Sequence, residues 1–388
     1  MYFFARFALP MNIKDYKSGI FSKQQGYKSF KPNPINKEWS IDNPAINILL
    51  EEANLRLGEL NAFSTFVPDV DIFIRMHIVK EATQSSRIEG TRTEMDEAVL
   101  DGKDINPERK DDWLEVQNYI KAINYSIKRL DKFPLSSRLI KEAHKILLRG
   151  VRGRNKSPGE FRMSQNWIGG ATIKDAVFIP PHHSQVPDCI SDLEKFLNNE
   201  EIRVPHLIRI GIAHYQFEAI HPFLDGNGRI GRLLITLYLI NQKVLNNPTL
   251  YLSDFIEKNR QNYYDNLMAV SLNSDLEQWL KFFLVGISET AKNATNTLSQ
   301  IVNLRNKLEK DTIVSLGKRV PNARLLLTYL YSRPVVSVSD VMTNIKVTKQ
   351  TANALIKNFQ KLKILKEQTG FKRNRIFVFE EYMKLFRR

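Results

Sequence analysis

The spacing of apolar residues divides the chain into a long helical region and a shorter tail of helix and strand. Through most of the chain, apolar side chains recur every three or four residues, which is the period of an amphipathic helix. This period predicts helices at 44–61, 69–89, 111–132, 136–149, 186–199, 204–219, 228–241, 253–271 and 275–309. Residues 12–42 are polar, with scattered lysine, asparagine and proline and no period, and we expect an extended arm there.

Two stretches depart from this helical pattern. Residues 166–181 contain two β-prone runs that meet at Lys174-Asp175, which predicts a small hairpin that rests on the helices. After Pro321 the pattern predicts three short helices and then two β-prone runs, the order of a winged helix-turn-helix. We therefore expect a mainly α fold, with a helical bundle, a small hairpin and a C-terminal winged helix-turn-helix.

Composition indicates three parts in the chain of 388 residues. Residues 101–110 are polar and rich in turn formers, so we place a boundary there between an N-terminal part, residues 1–110, and a core, residues 111–312. The C-terminal part, residues 313–388, is strongly basic. From residue 317 onwards it has 16 Lys and Arg against four Asp and Glu, so +12 of the net charge of +15 lies in it.

This charge asymmetry indicates a domain that binds a polyanion. The outward face of the third predicted helix of the tail suits phosphates and base edges. It carries Lys349, Gln350, Asn353 and Lys357. A protein-docking or dimerisation module with a solvated basic face fits the same pattern. DNA contact through residues 313–388 and a homodimer are therefore both open.

Cysteine content and hydropathy bear on the compartment. A single cysteine, Cys189, excludes an internal disulfide and a multi-cysteine zinc site, and it fits a reducing compartment. No apolar run approaches the ~20 residues of a membrane span. The opening, residues 1–10, is apolar but short and lacks the basic lead of a signal peptide. We therefore expect a cytoplasmic protein without membrane contact.

The stretch from His221 to Arg232 combines a base, a carboxylate, glycines, an amide and two arginines. Both flanks predict helices, so it is a glycine-rich loop that leads into the first turn of a buried helix. Free backbone N–H groups and the positive end of the helix dipole make such a turn suitable for phosphate. Gly226 and Gly228 let the backbone approach phosphate oxygens without a Cβ in the way.

Side chains in this stretch extend the interpretation to catalysis. His221 has an unperturbed pKa near neutrality and is the natural general base. Asp225 is a hard oxygen ligand of the kind that holds Mg²⁺ against phosphates. Arg229 and Arg232, three residues apart, can bind further phosphate charge bidentately. The stretch is not a calcium loop, because Thr236 stands where the closing glutamate is needed, and no Gly-Lys-Ser/Thr of a Walker loop follows.

The stretch matches the signature of the Fic family, His-x-Phe-x-Asp/Glu-Gly-Asn-Gly-Arg-x-x-Arg, at every specified position. The resemblance implies a Fic-type helical bundle and a protein adenylyltransferase, which moves AMP from ATP onto a Ser, Thr or Tyr hydroxyl of a partner or of itself. It implies that His221 deprotonates the hydroxyl and that Asp225 holds Mg²⁺. The nucleotide-binding residues that it implies are Gly226, Asn227, Gly228, Arg229, Ile230, Gly231 and Arg232.

A second motif lies at the end of the helix predicted at 69–89. On its chemistry alone, the segment from Ser85 to Gly90 is a solvated helix end with Gly90 as the C-cap. It also resembles the inhibitory motif of Fic proteins, Ser/Thr-x-x-x-Glu-Gly/Asn, whose glutamate pairs with the second arginine of the signature. The resemblance thus implies a Glu89–Arg232 ion pair, a carboxylate in the position of the γ-phosphate, and an enzyme inhibited by its own chain.

The resemblance extends to two further regions. It implies that the hairpin is a flap whose edge aligns the target peptide by strand pairing. The flap residues that it implies are Asp175, Ala176, Val177 and Phe178. It also places Tyr264 beside the nucleotide, although paired tyrosines on a helix are usually core residues. His182 and His183 are adjacent without cysteines or nearby acids, so we expect loop residues and not a metal pair.

Other functions are left open by the residues. One alternative is a DNA-binding regulator in which the Fic core is an accessory. Another stays within the fold, because relatives transfer other phosphate-containing groups or remove AMP, and Glu89 is placed to position a water for such a reaction. The complete signature, with Asp225 for the metal and Arg232 for the terminal phosphate, favours ATP as the AMP donor.

Overall fold

The computed structural model describes residues 10–67, 69–370 and 375–387. The expectations for residues 1–9, 371–374 and 388 lie outside these ranges. The described chain is mainly α-helical, as the sequence predicts. Its helices are α1 (Pro44–Phe66), α2 (Val70–Ile88), α3 (Met95–Ala98), α4 (Lys110–Leu130), α5 (Ser137–Leu147), α6 (Val186–Asn198), α7 (His206–Ile220), α8 (Asn227–Asn241), α9 (Ser253–Lys258), α10 (Arg260–Asn273), α11 (Leu276–Lys307), α12 (Val320–Ser332), α13 (Val338–Ile345), α14 (Lys349–Lys361) and α15 (Glu380–Met383).

Strands are short and lie near the two ends of the described chain. They are β1 (Met11–Asn12), β2 (Gly19–Lys23), β3 (Lys28–Pro32), β4 (Trp39–Ser40), β5 (Val335–Ser337), β6 (Lys366–Glu367) and β7 (Ile376–Val378). They form two two-stranded sheets, β1-β4 and β2-β3, and one three-stranded sheet in the order β5-β7-β6. These sheets frame a helical core.

The two helices that flank the motif form the centre of the fold. α7 and α8 pack against each other, and almost all of their side chains are buried, as expected of helices that are apolar nearly all round. α2 packs on α4 and α9, while α1 lies along α11. Hydrogen bonds from Arg232 to Ser85 hold the end of α2 beside the first turns of α8. The packing therefore brings the two sequence motifs together.

The single helix predicted at 253–271 is wrong, because the chain forms two helices there, α9 and α10. Asn259, between them, has φ −116° and ψ 31°, outside the helical range. Its side-chain amide donates to the Phe255 carbonyl at 2.9 Å, a local bond that competes with continuation of the helix. α10 then carries Tyr264 to the site described below.

The expectation of an extended arm at 12–42 is also wrong. β2 and β3 form an antiparallel hairpin, and β1 pairs in parallel with β4. Phe30 in β3 is fully buried, its ring lies 5.6 Å from that of Phe178, and its N–H donates to the Ile179 carbonyl at 2.8 Å. The hairpin has little sequence signal, because each strand has only five residues and burial does not follow polarity there: Ile20 and Phe21 are exposed while Ser29 is buried.

The hairpin predicted at 166–181 is smaller than expected. In the described backbone its two arms join at one bridge, between Ile168 and Phe178. Gly169 and Gly170 follow with φ of 70° and 73°, a conformation that interrupts a strand. This flap leans on the β2–β3 hairpin as well as on the helices, so tertiary contacts support it and not a strand ladder of its own.

The C-terminal part contains the elements that the sequence predicts, α12, α13, α14, β6 and β7, and in addition the short strand β5. It docks on α2 through aromatic contacts. The ring of Tyr331 lies 5.7 Å from that of Phe73, and the ring of Phe386 lies 5.3 Å from that of His77. No helix in the described part of the chain has the length and apolar character needed to cross a membrane.

Candidate active site

The loop between α7 and α8 is shaped by two residues with positive φ and by one amide. α7 ends at Ile220 and is followed by its C-cap His221, with φ 48°, and Gly226, with φ 76°, leads into α8. The Asn227 side chain closes the loop, because its Oδ1 accepts from the Phe223 N–H and its Nδ2 donates to the Phe223 carbonyl, both at 2.8 Å. The side chain of Asn227, which the resemblance assigns to the nucleotide, therefore shapes the loop.

His144 on α5 supports the same loop. The Gly159 N–H donates to His144 Nδ1 at 2.8 Å, so the ring proton is on Nε2, which donates to the Asp225 carbonyl at 2.9 Å. The ring also stacks on Phe223 at 3.8 Å. Burial lowers the pKa of His144 to about 4, which keeps the ring neutral. Its sequence context contains no signal for this role.

Arg162 joins the loop to the flap. Its guanidinium donates to the carbonyl of His221 at 3.0 Å and to that of Ser164 at 3.2 Å, and a third bond reaches the Pro181 carbonyl. Burial lowers the pKa of Arg162 to about 10, which leaves it charged at neutral pH. Arg162 thus fixes the backbone of His221. Its sequence signal is the Gly-x-Phe-Arg run that begins at Gly159.

The His221 side chain faces a cavity and is in the right protonation state for a base. Burial lowers the pKa of its imidazole to about 4, and the backbone of Glu218 together with the carboxylates of Glu89 and Asp225 opposes this only in part. The imidazole is therefore neutral at neutral pH and can accept a proton from a hydroxyl.

Arg229 is held in a buried ion pair with α4. Its Nη1 donates to Glu115 Oε2 at 3.1 Å, and the two side chains are only 4% and 6% exposed. Tyr119, also on α4, donates its O–H to the Arg229 carbonyl at 2.9 Å. The sequence predicts Arg229 as a site residue but not its partner, because Glu115 lies 114 residues away and carries no motif.

The Asp225 carboxylate is accessible, as a Mg²⁺ ligand must be. Its side chain is 41% exposed, and its Oδ1 lies 3.6 Å from Arg229 Nη2, longer than a hydrogen bond. Among the described residues, no group of three or more His, Cys, Asp or Glu could hold a metal ion by itself. An exposed carboxylate such as Asp225 fits Mg²⁺ in a phosphate site, because this ion usually takes one or two carboxylates and completes its shell with phosphates and water.

Arg232 is held by the end of α2. Its Nε donates to Ser85 Oγ at 2.8 Å, and its Nη2 donates to the Ser85 carbonyl at 2.9 Å and to Glu89 Oε1 at 2.7 Å. The ion pair between Glu89 and Arg232 that the resemblance implies is thus confirmed. Gly90 follows with φ 97° and ends the helix.

The charge of Glu89 follows from this contact. Burial raises the pKa of its carboxyl, but the charge and the hydrogen bond of Arg232 outweigh burial, and the pKa lies below its usual value. Glu89 is therefore ionised at neutral pH. Its side chain is still 33% exposed, because it borders the cavity.

These groups meet at a cavity of about 430 Å³. Its charged and polar lining includes Glu89, Glu218, His221 and Arg232. Its apolar lining includes Trp167, Ile168, Val177, Phe178, Leu267 and Met268. A Cβ on Gly228 would lie 2.3 Å from Glu89 Oε1, so glycine is required for the close approach of that carboxylate or of a phosphate oxygen in its place. A cavity lined by both charged and apolar side chains suits a nucleotide.

The structure divides the predicted site residues into two groups. Those that line the cavity are Glu89, Val177, Phe178, His221, Gly228, Arg232 and Tyr264. Those that are not part of its lining are Ser85, Gly90, Asp175, Ala176, Asp225, Gly226, Asn227, Arg229, Ile230 and Gly231. Both neighbouring tyrosines line the cavity, but Tyr264 is 37% exposed, whereas Tyr263 is buried and its hydroxyl hydrogen-bonds His214 Nε2 at 2.8 Å.

Two family models match this chain. Residues 48–128 match the Fic/DOC family N-terminal model, and residues 134–239 match the Fic/DOC family model. Residues 48–128 and 134–239 are therefore the two Fic/DOC regions of the chain. The second match contains the loop of the candidate site, and the first contains Glu89 at the end of α2.

Curated Fic proteins are similar over part of their length. The chain is 28% identical over 188 residues to the protein adenylyltransferase Fic of Drosophila erecta. It is 30% identical over 185 residues to the protein of the same name in Culex quinquefasciatus. Each match covers 47% of this chain and 33% of the relative, so the chain spans about a third of the length of these relatives.

Solved Fic structures share the fold. A Fic family protein from Desulfovibrio desulfuricans superposes with a TM-score of 0.55 at 22% identity, covering 87% of this chain and 96% of its own. A Fic domain containing signaling protein from Bacteroides thetaiotaomicron gives 0.53 at 18% identity, covering 66% of this chain and 97% of its own. These similarities confirm a mainly α fold of the Fic type.

Proposed function

We propose that this Fic protein transfers AMP from ATP to a protein hydroxyl and that Glu89 inhibits the reaction. The observation that supports this most directly is the 2.7 Å contact between Glu89 and Arg232, both of which line the cavity. It puts a carboxylate on the arginine that suits a terminal phosphate. The name of the curated relatives, protein adenylyltransferase, supports AMP as the transferred group.

Each residue of the site has a chemical task in this reaction. The neutral His221 imidazole removes the proton of the target hydroxyl while the hydroxyl oxygen attacks the α-phosphate and pyrophosphate leaves. The N–H groups at the start of α8 and the Arg232 guanidinium bind phosphate oxygens. Asp225 is the residue that would hold Mg²⁺, which when bound supplies positive charge to the phosphates.

Glu89 inhibits by its position and its charge. An ionised carboxylate on Arg232 occupies the place of the γ-phosphate and repels a phosphate that approaches it. ATP then binds only in a pose that does not place its α-phosphate beside His221. Because α2 belongs to the same chain as the site, the inhibition is intramolecular, and whatever moves the end of α2 relieves it.

Label transfer from ATP labelled in the α-phosphate tests this proposal. The proteins to compare are the wild type, Glu89→Gly, and Glu89→Gly combined with His221→Ala. We expect strong labelling of protein only with Glu89→Gly. Weaker labelling than in the wild type would contradict inhibition by Glu89. If α-labelled ATP gives no labelled protein, ATP labelled in the γ-phosphate is used instead, and transfer of that label would support another group transfer on this fold. Release of AMP from a labelled protein would support de-adenylylation.

A second function, DNA binding by the C-terminal part, has a separate observation in its favour. Residues 341–366 contain six lysines and no Asp or Glu. The exposed side chains of α14 include Lys349, Gln350, Asn353 and Lys357. We expect the full chain to bind duplex DNA with an affinity that falls as salt rises, and Lys349→Glu with Lys357→Glu to weaken it.

The matched control for this test is on another helix. Lys121→Glu with Lys128→Glu makes the same change of charge on the exposed face of α4. Equal weakening by both pairs would indicate nonspecific attraction to a basic protein. The absence of duplex binding by the wild type at low salt would exclude DNA as a partner.

A further inference from the structure

Glu218 on α7 contributes a carboxyl to the nucleotide cavity, and the proposed reaction does not use it. It lies three residues before His221, and both side chains line the cavity. Its Oε1 is buried, and no hydrogen-bond partner meets this oxygen among the described residues. Buried carboxyl oxygens without a partner are costly and uncommon in proteins. This suggests that a bound ligand completes the site.

Two glycines on α8 show where Glu218 lies. A Cβ on Gly228 would lie 2.3 Å from Glu89 Oε1, and a Cβ on Gly231 would lie 2.0 Å from Glu218 Oε1. Residues three apart are about 5–6 Å from each other on a helix surface. The Glu218 oxygen is therefore about one turn from the Glu89 oxygen, which occupies the proposed phosphate position.

The surroundings of Glu218 favour its neutral form. Burial raises the pKa of its carboxyl to about 8, Arg232 opposes this, and Glu89 adds to it. Its place in the last turn of α7 also disfavours a negative charge. The other ionisable groups around the cavity are Glu89, His221, Arg232, Tyr263 and Tyr264. Between pH 7 and 9 these keep their charges, because the pKa is lowered for the first two and raised for the last three.

We propose that Glu218 is a nucleotide-binding residue whose neutral carboxyl donates its O–H to a phosphate oxygen beside Arg232, a role that rests on the proposed nucleotide site. A phosphate oxygen is an acceptor, and a neutral carboxyl supplies the donor that a carboxylate lacks. Ionised Glu218 would repel the same phosphate. Gly231 makes this contact sterically feasible, since any larger residue would displace Glu218.

Titration calorimetry with the full chain tests this role. Glu89→Gly is the parent, because it frees Arg232, and Glu218→Gln, Glu218→Ala and the exposed control Glu200→Gln are added to it. Affinities for ATP and for adenosine are measured at pH 7 and pH 9. At pH 7 we expect Glu218→Ala to bind ATP about tenfold more weakly than the parent, while Glu218→Gln and the control match it. Adenosine affinity is expected to be the same in all.

The pH dependence separates a proton donor from a structural residue. In the parent, the phosphate beside Arg232 supplies the negative charge that Glu89 no longer does, and burial still raises the pKa of Glu218. From pH 7 to 9 we therefore expect the parent and the Glu200→Gln control to lose ATP affinity as Glu218 ionises. We expect Glu218→Gln to keep it, because the amide donates at both values. If Glu218→Ala does not fold, the comparison of the parent with Glu218→Gln still tests the role. An equal loss of ATP affinity from pH 7 to 9 in these two proteins would overturn Glu218 as a proton donor.

Two further results would also overturn it. One is Glu218→Ala binding ATP as tightly as the parent at both pH values. The other is an equal loss of affinity for ATP and adenosine, which would place Glu218 at the nucleoside. Intact ATP binding without AMP transfer would count against the proposed function alone and would leave the assignment of Glu218 standing.

Discussion

Arg229 and Arg232 lie three residues apart on α8 and are equally buried, yet their carboxylate partners differ in kind. Glu115 comes from within α4, and its side chain is 6% exposed. Glu89 follows the last residue of α2, and its side chain is 33% exposed at the cavity. A carboxylate enclosed by protein, such as Glu115, cannot move away without leaving the buried charge of its arginine unpaired. A carboxylate at a helix end beside a cavity, such as Glu89, can be replaced by a phosphate. Glu115 therefore stabilises the fold, whereas Glu89 is placed where it competes with a ligand.

The largest effect is expected when the Glu115–Arg229 ion pair is broken. Glu115→Ala leaves Arg229 buried without its carboxylate, and we expect it to lower the free energy of unfolding by about 3–5 kcal/mol. Glu89→Ala should cost about 1 kcal/mol, because water in the cavity solvates Arg232 and the bonds to Ser85 remain. Urea denaturation of the full chain measures both. Equal losses would mean that the two pairs do not differ in kind.

The next effect concerns ATP as a competitor of one carboxylate. If Glu89 lowers the affinity for ATP tenfold, ATP in excess should stabilise Glu89→Gly by about 1.4 kcal/mol more than the wild type. Glu115→Gln should show no such gain, because Glu115 does not face the cavity. Thermal melting with and without ATP gives the comparison. A similar gain in both variants would contradict the view that Glu89 alone competes with phosphate.

A smaller effect tests the support of Arg229 from α4. Tyr119→Phe removes the O–H that bonds the Arg229 carbonyl at 2.9 Å, and we expect a loss of about 1 kcal/mol in the free energy of unfolding. In the Glu89→Gly background, label transfer should be unchanged, since Tyr119 does not reach the cavity. A loss of transfer without a loss of stability would give Tyr119 a role in the reaction.

The smallest effect is the pH dependence of the Glu89–Arg232 pair. The pKa of Glu89 is lowered from 4.5 in the folded chain, so the pair contributes stability above the unfolded pKa and loses it as pH falls through the folded one. The part of the unfolding free-energy difference between the wild type and Glu89→Gln that comes from this pair should therefore shrink below about pH 4.5. A change between pH 7 and 9 would come from Glu218, whose pKa Glu89 raises, and a change between pH 5 and 6 would contradict the assignment to Glu89.

Much of the candidate site was predictable because it is local. Residues 221–232 contain the glycines, the base and the arginines in one short stretch of chain. The contact of Glu89 with Arg232, 143 residues away, was predicted only through the resemblance to Fic proteins. The signal was weak where a residue works through distant neighbours. Glu115 and His144 have no motif, and each acquires its role from a partner on another helix.

Local patterns also misjudged several elements. The β2–β3 hairpin at Gly19–Pro32 lacks the alternating apolar pattern that would predict it from sequence. Only the contact of Phe30 with Phe178 shows that it supports the flap. The break at Asn259 depends on one side-chain bond that competes with the helix. The roles of Asn227 in closing the loop and of Tyr263 in bonding His214 likewise required coordinates.

The sequence by itself determined the helical periods, the glycine-rich loop between two helices and the chemical character of His221 and Asp225, because these depend on residues close together in the chain. Tertiary structure alone decided that Glu115 pairs with Arg229, that His144 supports the loop, and that Glu218 Oε1 is left at the cavity without a hydrogen-bond partner. The physical reason is that burial and pairing are properties of neighbours in space. A sequence read in order does not contain those neighbours until the helices have packed.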